Sequence, residues 1–385
     1  MRIYLDFNAS APVRDEVADA VVAAMRTRYG NASSVHRFGQ EAKAALDEAR
    51  SAVAALIGGD APDIVFTSGG TESDNTAIRG VAHALEAKGR RHLIATAIEH
   101  EAVRATLQAL EQRGWRTTLV PVGRSGVVDP AAIEHVIDDQ TSLVSVMLAN
   151  NEIGTIQPVA AIAAIAHAHG ALMHTDAVQG AGKIPIRVEE LGVDLLSLSG
   201  HKFGGPKGVG VLWMRRGLAI HPWATGGRQE RGRRAGTENV PAIEGLGVAA
   251  RIARQELADA GPRMATLRDR IDTELLARIP GAAVNAGDGP RVPNTTNVSF
   301  EGVEGESLVI GLDLDGIAVS TGSACSSGTL EPSHVLRAIG LAPHRVQSAI
   351  RFSLGPSTTT EEIDRTIDAV ARVVGRLRAV GGGRG

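Results

Sequence analysis

Between about residues 40 and 215, short apolar runs rich in β-branched residues alternate with stretches of helical periodicity. The apolar runs include DIVFT, HLIATAI, SLVSVMLAN, ALMHTDA and DLLSLS, and helical stretches such as EAKAALDEARSAVAALIGG and VAAIAAIAHAHG lie between them. Alternation of this kind is typical of βα units around a largely parallel sheet. It predicts an α/β fold with a large, doubly wound and mostly parallel sheet.

The pattern changes after about residue 240. One long alanine-rich helical stretch, VPAIEGLGVAARIARQELADAGPRMATLRDRIDTELLARI, is followed by mixed strand and loop segments. We expect a smaller α+β domain in this C-terminal part, with the N-terminal arm packed against it. The predicted division is a large domain over 15–258 and a small domain over 1–14 and 259–385, with the boundary near residues 255–262.

Composition narrows the classes of partner. The 385 residues contain 40 basic and 43 acidic side chains and only 3% aromatics, which argues against direct binding of nucleic acid. No apolar run approaches the roughly 18 residues that span a bilayer, so we expect a cytoplasmic protein without a membrane partner. The lone cysteine, Cys325, cannot form an intrachain disulfide. It is a packing residue, a ligand in a mixed site or a free reactive thiol.

Polar residues follow five of the predicted strands, at the edge where ligands of open α/β sheets bind. The turn Ser68-Gly69-Gly70-Thr71 opens a helix, so its backbone N–H groups and hydroxyls suit a phosphate. The other four strands end in Glu99-His100, in Asn150-Asn151, in Asp176 with Gln179 close behind, and in Ser199, His201 and Lys202. Each feature alone is more often a helix entry or a capping group. Together, on one rim, they indicate a binding site.

Pyridoxal phosphate (PLP) uses all of these groups. It requires a lysine for its Schiff base, a carboxylate beside the pyridine nitrogen, a helix N-terminus for its phosphate and a flat group over its ring. The residues that fit these roles in turn are Lys202, Asp176, Gly70 with Thr71, and His100. Lys207 in GGPKG is the competing lysine, but its glycine-proline turn favours exposure to solvent. No metal site is predicted, because His167 and His169 are two residues apart on a predicted helix and face different directions.

Ten segments resemble, in order, landmarks of the cysteine desulfurases of the NifS/IscS type, which are class V aminotransferase-like enzymes of PLP fold type I. The segments are YLDFNASAP, GNASSVH, FTSGGTESDN, EHEAV, NNEIGT, HTDAVQGAGK, SGHKFGGPKGVG, GGRQERGRRAGTEN, STGSACSSG and IRFSLG. The resemblance extends from about residue 3 to residue 356. It implies that the protein removes sulfur from L-cysteine, releases L-alanine and carries the sulfur as a persulfide on Cys325, within a mobile loop.

The resemblance also implies residue roles. It assigns the Schiff base to Lys202, ring stacking and proton transfer to His100, the pyridinium contact to Asp176 and a bond to the phenolic oxygen to Gln179. The implied phosphate ligands are Gly70, Thr71, Ser199 and His201, completed by Thr237 of the neighbouring subunit of a homodimer. Asn151 and Arg351 are implied to hold the substrate carboxylate, and Asn8, Asn31 and His36 to line the substrate side.

Two other functions stay open at this point. One is another fold type I PLP enzyme, such as a selenocysteine lyase or an aminotransferase. The other is a non-catalytic sulfur-carrier or scaffold protein that has kept the fold, although Lys202 and Asp176 are both present. The sequence does not decide whether the sulfur goes to an iron–sulfur scaffold, to nitrogenase maturation or to a thiolation enzyme.

Overall fold

A seven-stranded sheet organises the larger part of the chain in the computed structural model, which describes residues 2–322 and 332–381. In chain order the strands are β1 (Ile3–Tyr4), β2 (Ile64–Thr67), β3 (His92–Thr96), β4 (Arg116–Val120), β5 (Thr141–Ser145), β6 (Leu172–Asp176), β7 (Leu195–Ser199), β8 (Gly210–Met214), β9 (Ala282–Val284), β10 (Thr295–Phe300), β11 (Ile317–Ala318) and β12 (Ala349–Ser353). The large sheet has the order β2-β8-β7-β6-β5-β3-β4. Only β8 runs antiparallel to its neighbours, so the predicted α/β fold with a mostly parallel sheet is confirmed.

Helices cover both faces of this sheet. In chain order the helices are α1 (Asp15–Thr27), α2 (Arg37–Ile57), α3 (Gly70–Glu86), α4 (Glu101–Glu111), α5 (Pro130–Val136), α6 (Val159–Ala168), α7 (Val188–Leu191), α8 (Val240–Arg278), α9 (Gly305–Leu314), α10 (His334–Ala338), α11 (Pro343–Gln347) and α12 (Thr360–Gly381). Consecutive strand residues point to opposite faces of the sheet. Leu93 packs with α3 and α4 on one face, whereas Ile94 packs with α2 and α6 on the other. Burial on both faces explains why these strands are continuous apolar runs.

A second core joins the two ends of the chain. The N-terminal strand β1 pairs in parallel with β11, and a three-stranded antiparallel sheet has the order β12-β10-β9. Leu5 of the N-terminal arm is buried with Phe300, Ile350 and Val370. This arrangement places residues from the first and last parts of the chain beside the edge of the large sheet.

The helix α8 connects the two cores. It has 39 residues, and Leu246 in its first half packs on the large sheet while Ile271 in its second half packs in the second core. The boundary expected near residues 255–262 falls within this continuous helix, and its exact position stays a prediction. Every helix in the described part of the chain is too short or too polar to cross a membrane.

Candidate active site

The carboxyl ends of the parallel strands and the second core enclose a cleft of about 270 Å³. The sequence predicted that polar residues after five strands would meet at one edge of the sheet. The structure brings most of them together: the cleft is lined by Asn8, Ala9, Gly70, Thr71, Asp74, His100, Met147, Ala149, Asn151, Asp176, Val178, Gln179, Ser199, His201, Lys202 and Arg351. Asn150 instead points into the protein, where its side chain caps the backbone N–H groups of Glu152 and Ile153.

Lys202 lies at the end of a 3₁₀ turn that follows β7, and its Nζ reaches the N-terminal arm. The ammonium donates to the carbonyl oxygens of Asn8 at 2.7 Å and Ala9 at 2.9 Å. Lys207, the competing lysine, is exposed and does not line the cleft. Of these two candidates for the Schiff-base lysine, only Lys202 lines the cleft.

Two carboxyl groups lie together on the buried wall of the cleft. Asp74 and Asp176 are both buried, and burial raises the pKa of each, that of Asp74 well above its ordinary value. Asp176 accepts a hydrogen bond from the Val178 N–H at 2.9 Å, and the positive charge of Lys202 also favours its ionised form. Asp74 Oδ1 has no hydrogen-bond partner among the described residues. We therefore assign the negative charge to Asp176 and the proton to Asp74.

His100 caps the N-terminus of α4. Its Nδ1 accepts a hydrogen bond from the Ala102 N–H at 3.1 Å. Because Nδ1 accepts this bond, the neutral ring carries its proton on Nε2. His100 can therefore give or receive a proton at Nε2 while its ring stays fixed by the helix terminus.

The N-terminus of α3 forms the end of the cleft that suits an anion. Gly70 is the first residue of this 17-residue helix, and a Cβ atom at this position would lie only 2.8 Å from Cγ2 of Val178. The close packing requires glycine and leaves the first-turn N–H groups accessible beside Thr71 and Ser199. Burial and the charges of nearby lysines lower the pKa of His201 to about 4, so this imidazole is neutral.

Arg351 reaches the cleft from β12. The residue is only 2% exposed, and its guanidinium donates to the Asn151 carbonyl oxygen at 3.0 Å and to Asp6 Oδ1 at 2.5 Å. Its Nε has no partner among the described residues. An unpaired, buried N–H of a cation on the wall of a cleft favours an anionic ligand.

Comparison with known proteins decides the family. The model of the aminotransferase class-V family matches residues 3–366. The chain is 48% identical over 98% of its length to the cysteine desulfurase IscS of Dictyoglomus turgidum, of which it covers 96%. A solved NifS-like protein superposes with a TM-score of 0.92 at 40% identity, covering 98% of this chain and all of that one. A structure of SspA in complex with cysteine has a TM-score of 0.82 at 34% identity over 93% of this chain and all of its own.

The chain belongs to the aminotransferase class-V family. The resemblance to NifS/IscS cysteine desulfurases and the fold type that it implied are both confirmed. Members of this class V group depend on PLP, and the cleft suits that coenzyme. A pair of buried carboxyl groups with an unpaired oxygen fits a cationic N–H donor, and the start of α3 fits a phosphate.

Three positions that the class V resemblance assigned, Asn31, His36 and Thr237, do not line this cleft. Asn31 is exposed, and its side chain accepts from the Ser33 N–H, while His36 is the exposed N-cap of α2. The amide oxygen of Asn31 caps a local turn, and a substrate contact by Asn31 stays a prediction. Thr237 is also exposed and outside the cleft. Cys325 lies outside the described residues.

One group of described side chains has the spacing of metal ligands, although the sequence predicted no metal site. His167 pairs with Asp194 at 2.8 Å and is not a ligand candidate. Among the described residues, however, side-chain atoms of Asp74, His100 and Asp176 lie within 4.8 Å of one another. All three residues line the cleft that suits the coenzyme, so we interpret the group as part of that site.

Sequence reasoning missed Asp74 and Lys183, which both lie inside quoted segments. Asp74 follows Gly70 by four residues, which is one helical turn, and this spacing placed it on the same face of α3. Lys183 follows Gln179 by four residues, and both side chains are buried. No local feature of GAGK indicates that the lysine is buried.

Proposed function

We propose that the protein is a PLP-dependent cysteine desulfurase that converts L-cysteine to L-alanine and leaves the sulfur on Cys325. The observation that carries this proposal is the convergence of Lys202, the Asp74–Asp176 carboxyl pair and the start of α3 on one cleft. The overall step is balanced: the substrate C–S bond breaks, an S–S bond to Cys325 forms, and the carbon receives a proton.

The residues of the cleft would hold the coenzyme at three points. Lys202 would supply the amine that bonds it, Asp176 would pair with its pyridine nitrogen, and Gly70 with Thr71 would bind its phosphate beside Ser199 and His201. When bound, PLP withdraws electrons from the α-carbon of the substrate. The ionised Asp176 would hold a proton on the pyridine nitrogen, which would strengthen that withdrawal.

Other residues would position the substrate and move its protons. The guanidinium of Arg351, beside Asn151, would bind the substrate carboxylate through N–H donors that match a planar anion. Released from its bond, the Lys202 amine would take the α-proton at Nζ. His100 would then give or receive a proton at Nε2.

Cys325 is proposed as the sulfur acceptor. Its thiolate would attack the substrate sulfur, so that the sulfur leaves with the enzyme rather than as free sulfide. The persulfide would then pass to an acceptor protein, either an iron–sulfur scaffold or a thiolation enzyme. The cytoplasmic location expected from the sequence stays a prediction.

The test is to add L-cysteine to the purified holoenzyme and to measure alanine and sulfide in the presence of a thiol reductant. Cys325→Ala is expected to reduce both products at least tenfold, because the substrate sulfur loses its nucleophile, while the visible absorbance of the coenzyme is unchanged. Cys325→Ser is the matched control for size and is expected to be equally impaired. Equal output from the parent and both variants would contradict the persulfide assignment and favour a lyase that does not use this thiol.

We further propose that the active unit is a homodimer. Thr237 is exposed and lies outside the cleft of its own subunit. Large apolar side chains of the N-terminal region are also exposed: Met25 by 67%, Tyr29 by 70%, Val35 by 91% and Phe38 by 50%. A second subunit on this surface would bury the apolar side chains and would bring Thr237 to the cleft of its neighbour.

Thr237→Ala is expected to weaken PLP binding about tenfold, which is the effect of one lost hydrogen bond to a charged group. Dimers that combine a Thr237→Ala subunit with a Lys202→Ala subunit separate the alternatives. If Thr237 acts across the interface, one site of each mixed dimer is intact and binds PLP with parental affinity. Weak binding at every site of the mixed dimer, or a monomer that binds PLP as tightly as the parent, would rule out this role.

A further inference from the structure

Lys183 is a buried lysine for which the proposed reaction has no use. The residue is 6% exposed, and it lies behind the cleft, on a cavity of about 110 Å³ between the two cores. Its Nζ donates to Asn8 Oδ1 at 2.9 Å and to Gln179 Oε1. Both partners line the cleft, so Lys183 contacts the active site through two amide side chains.

The contacts of Lys183 fix the orientation of Gln179. A primary amide has one oxygen that accepts and one nitrogen that donates. With its oxygen held by Lys183, Gln179 directs Nε2 to the Asn8 carbonyl oxygen at 3.0 Å and keeps a second N–H for the cleft. The reverse orientation would place the amide nitrogen against the donors of Lys183, which is unfavourable.

The second amide is fixed in the same way. Asn8 Oδ1 accepts from Lys183 and from Asn294 Nδ2 at 3.1 Å, while Asn8 Nδ2 donates to Thr295 Oγ1 at 2.8 Å and to the Asn151 carbonyl oxygen at 3.1 Å. Lys202 donates to the backbone carbonyl of the same Asn8. Lys183 therefore stabilises the segment that positions the proposed coenzyme lysine.

The surroundings of Lys183 are positive. No carboxylate pairs with it in the described part of the chain, and burial together with the charges of Lys202 and Arg351 lowers its pKa well below the ordinary value. His201 also faces this cluster and is neutral. Two carboxylates of the site have other partners: Asp6 contacts Arg351, and Asp176 faces Lys202 and His100.

We propose that Lys183 is a positioning residue that keeps an N–H of Gln179, rather than its oxygen, directed at the bound coenzyme. This inference rests on the proposed function. A donor that faces a titrating ligand favours the deprotonated form of that ligand. Loss of Lys183 frees the Gln179 amide to turn its oxygen inward, and the coenzyme bonded to Lys202 then keeps its proton to higher pH.

The experiment is a pH titration of the visible absorbance of the holoenzyme. Lys183→Met is expected to raise the midpoint by about 1 pH unit, the shift that corresponds to one hydrogen bond. Gln179→Met is expected to raise it equally, and the double variant is expected to shift no further, since both act through one contact. Lys183→Arg, which keeps donors, and the exposed control Lys207→Met are expected to titrate as the parent does.

A Lys183→Met midpoint equal to that of the parent would overturn the inference, because a purely structural role lowers thermal stability without moving the midpoint. Additive shifts in the double variant would also overturn it, because the two residues would then act through separate contacts. If methionine prevents folding, Lys183→Ala, which admits water from the adjacent cavity, carries the same expectation. The two proposals fail separately. A parent protein that binds no PLP and forms no alanine refutes the proposed function, whereas an active parent with an unchanged variant midpoint refutes only the role of Lys183.

Discussion

Lys202→Ala is expected to abolish the covalent attachment of PLP and to lower alanine formation from L-cysteine at least about a thousandfold. Lys202 would both bond the coenzyme and carry the α-proton, and proton transfer by a positioned side chain alone contributes about 10²–10⁴-fold. Folding is expected to be unaffected, because the acceptors of its Nζ in the described structure include the backbone carbonyls of Asn8 and Ala9, which line the cleft, where water can replace the ammonium. The measurements are the visible spectrum, the alanine rate and the melting temperature.

Borohydride reduction followed by peptide mass mapping identifies the attached lysine directly. In the parent protein the coenzyme mass is expected on the peptide that contains Lys202. The matched control is Lys207→Ala, because Lys207 is exposed and lies five residues along the same segment. This control is expected to retain parental colour and rate. Label on Lys207 or Lys183, or a yellow and active Lys202→Ala protein, would contradict the assignment.

Arg351→Lys is expected to raise the KM for L-cysteine by between tenfold and about a hundredfold, with a much smaller change in kcat. Hydrogen bonds to charged groups contribute about 1.5–3 kcal/mol, and 1.4 kcal/mol corresponds to a factor of ten. Lysine keeps a positive charge beside Asp6 but loses the planar set of donors, including the Nε that has no partner in the described structure. Since the contact is made before and during the reaction, its loss appears in KM.

Asp6→Asn distinguishes lost recognition from general damage. Asp6 is the carboxylate that pairs with Arg351, and its removal leaves the guanidinium less neutralised. The KM of Asp6→Asn is therefore expected to fall or to stay unchanged, in contrast to the rise expected for Arg351→Lys. A similar rise of KM in both variants would indicate disturbed packing of β12, and an unchanged KM in Arg351→Lys would exclude Arg351 as the carboxylate ligand.

Much of the cleft could be predicted because its residues follow strands. The apolar runs fixed which segments form the parallel sheet, and the carboxyl ends of parallel strands meet at one edge. Gly70, His100, Asp176 and Lys202 were expected together on that basis, and the structure places them in one cleft. Their chemical roles came from the resemblance and from the requirements of PLP, since many strand ends carry polar residues without a catalytic function.

Contacts between distant segments were decided by tertiary structure alone. Asp6 and Arg351 are 345 positions apart and meet only because β1 and β12 pack in the second core. The segments that contain Lys183 and Lys207 are both rich in glycine, yet the first lysine is buried and the second exposed. Local periodicity encodes which face of an element is apolar, so it determined the sheet and its active edge. Burial of a lysine in a loop depends on which other segments cover it, and only the assembled cores supply that information.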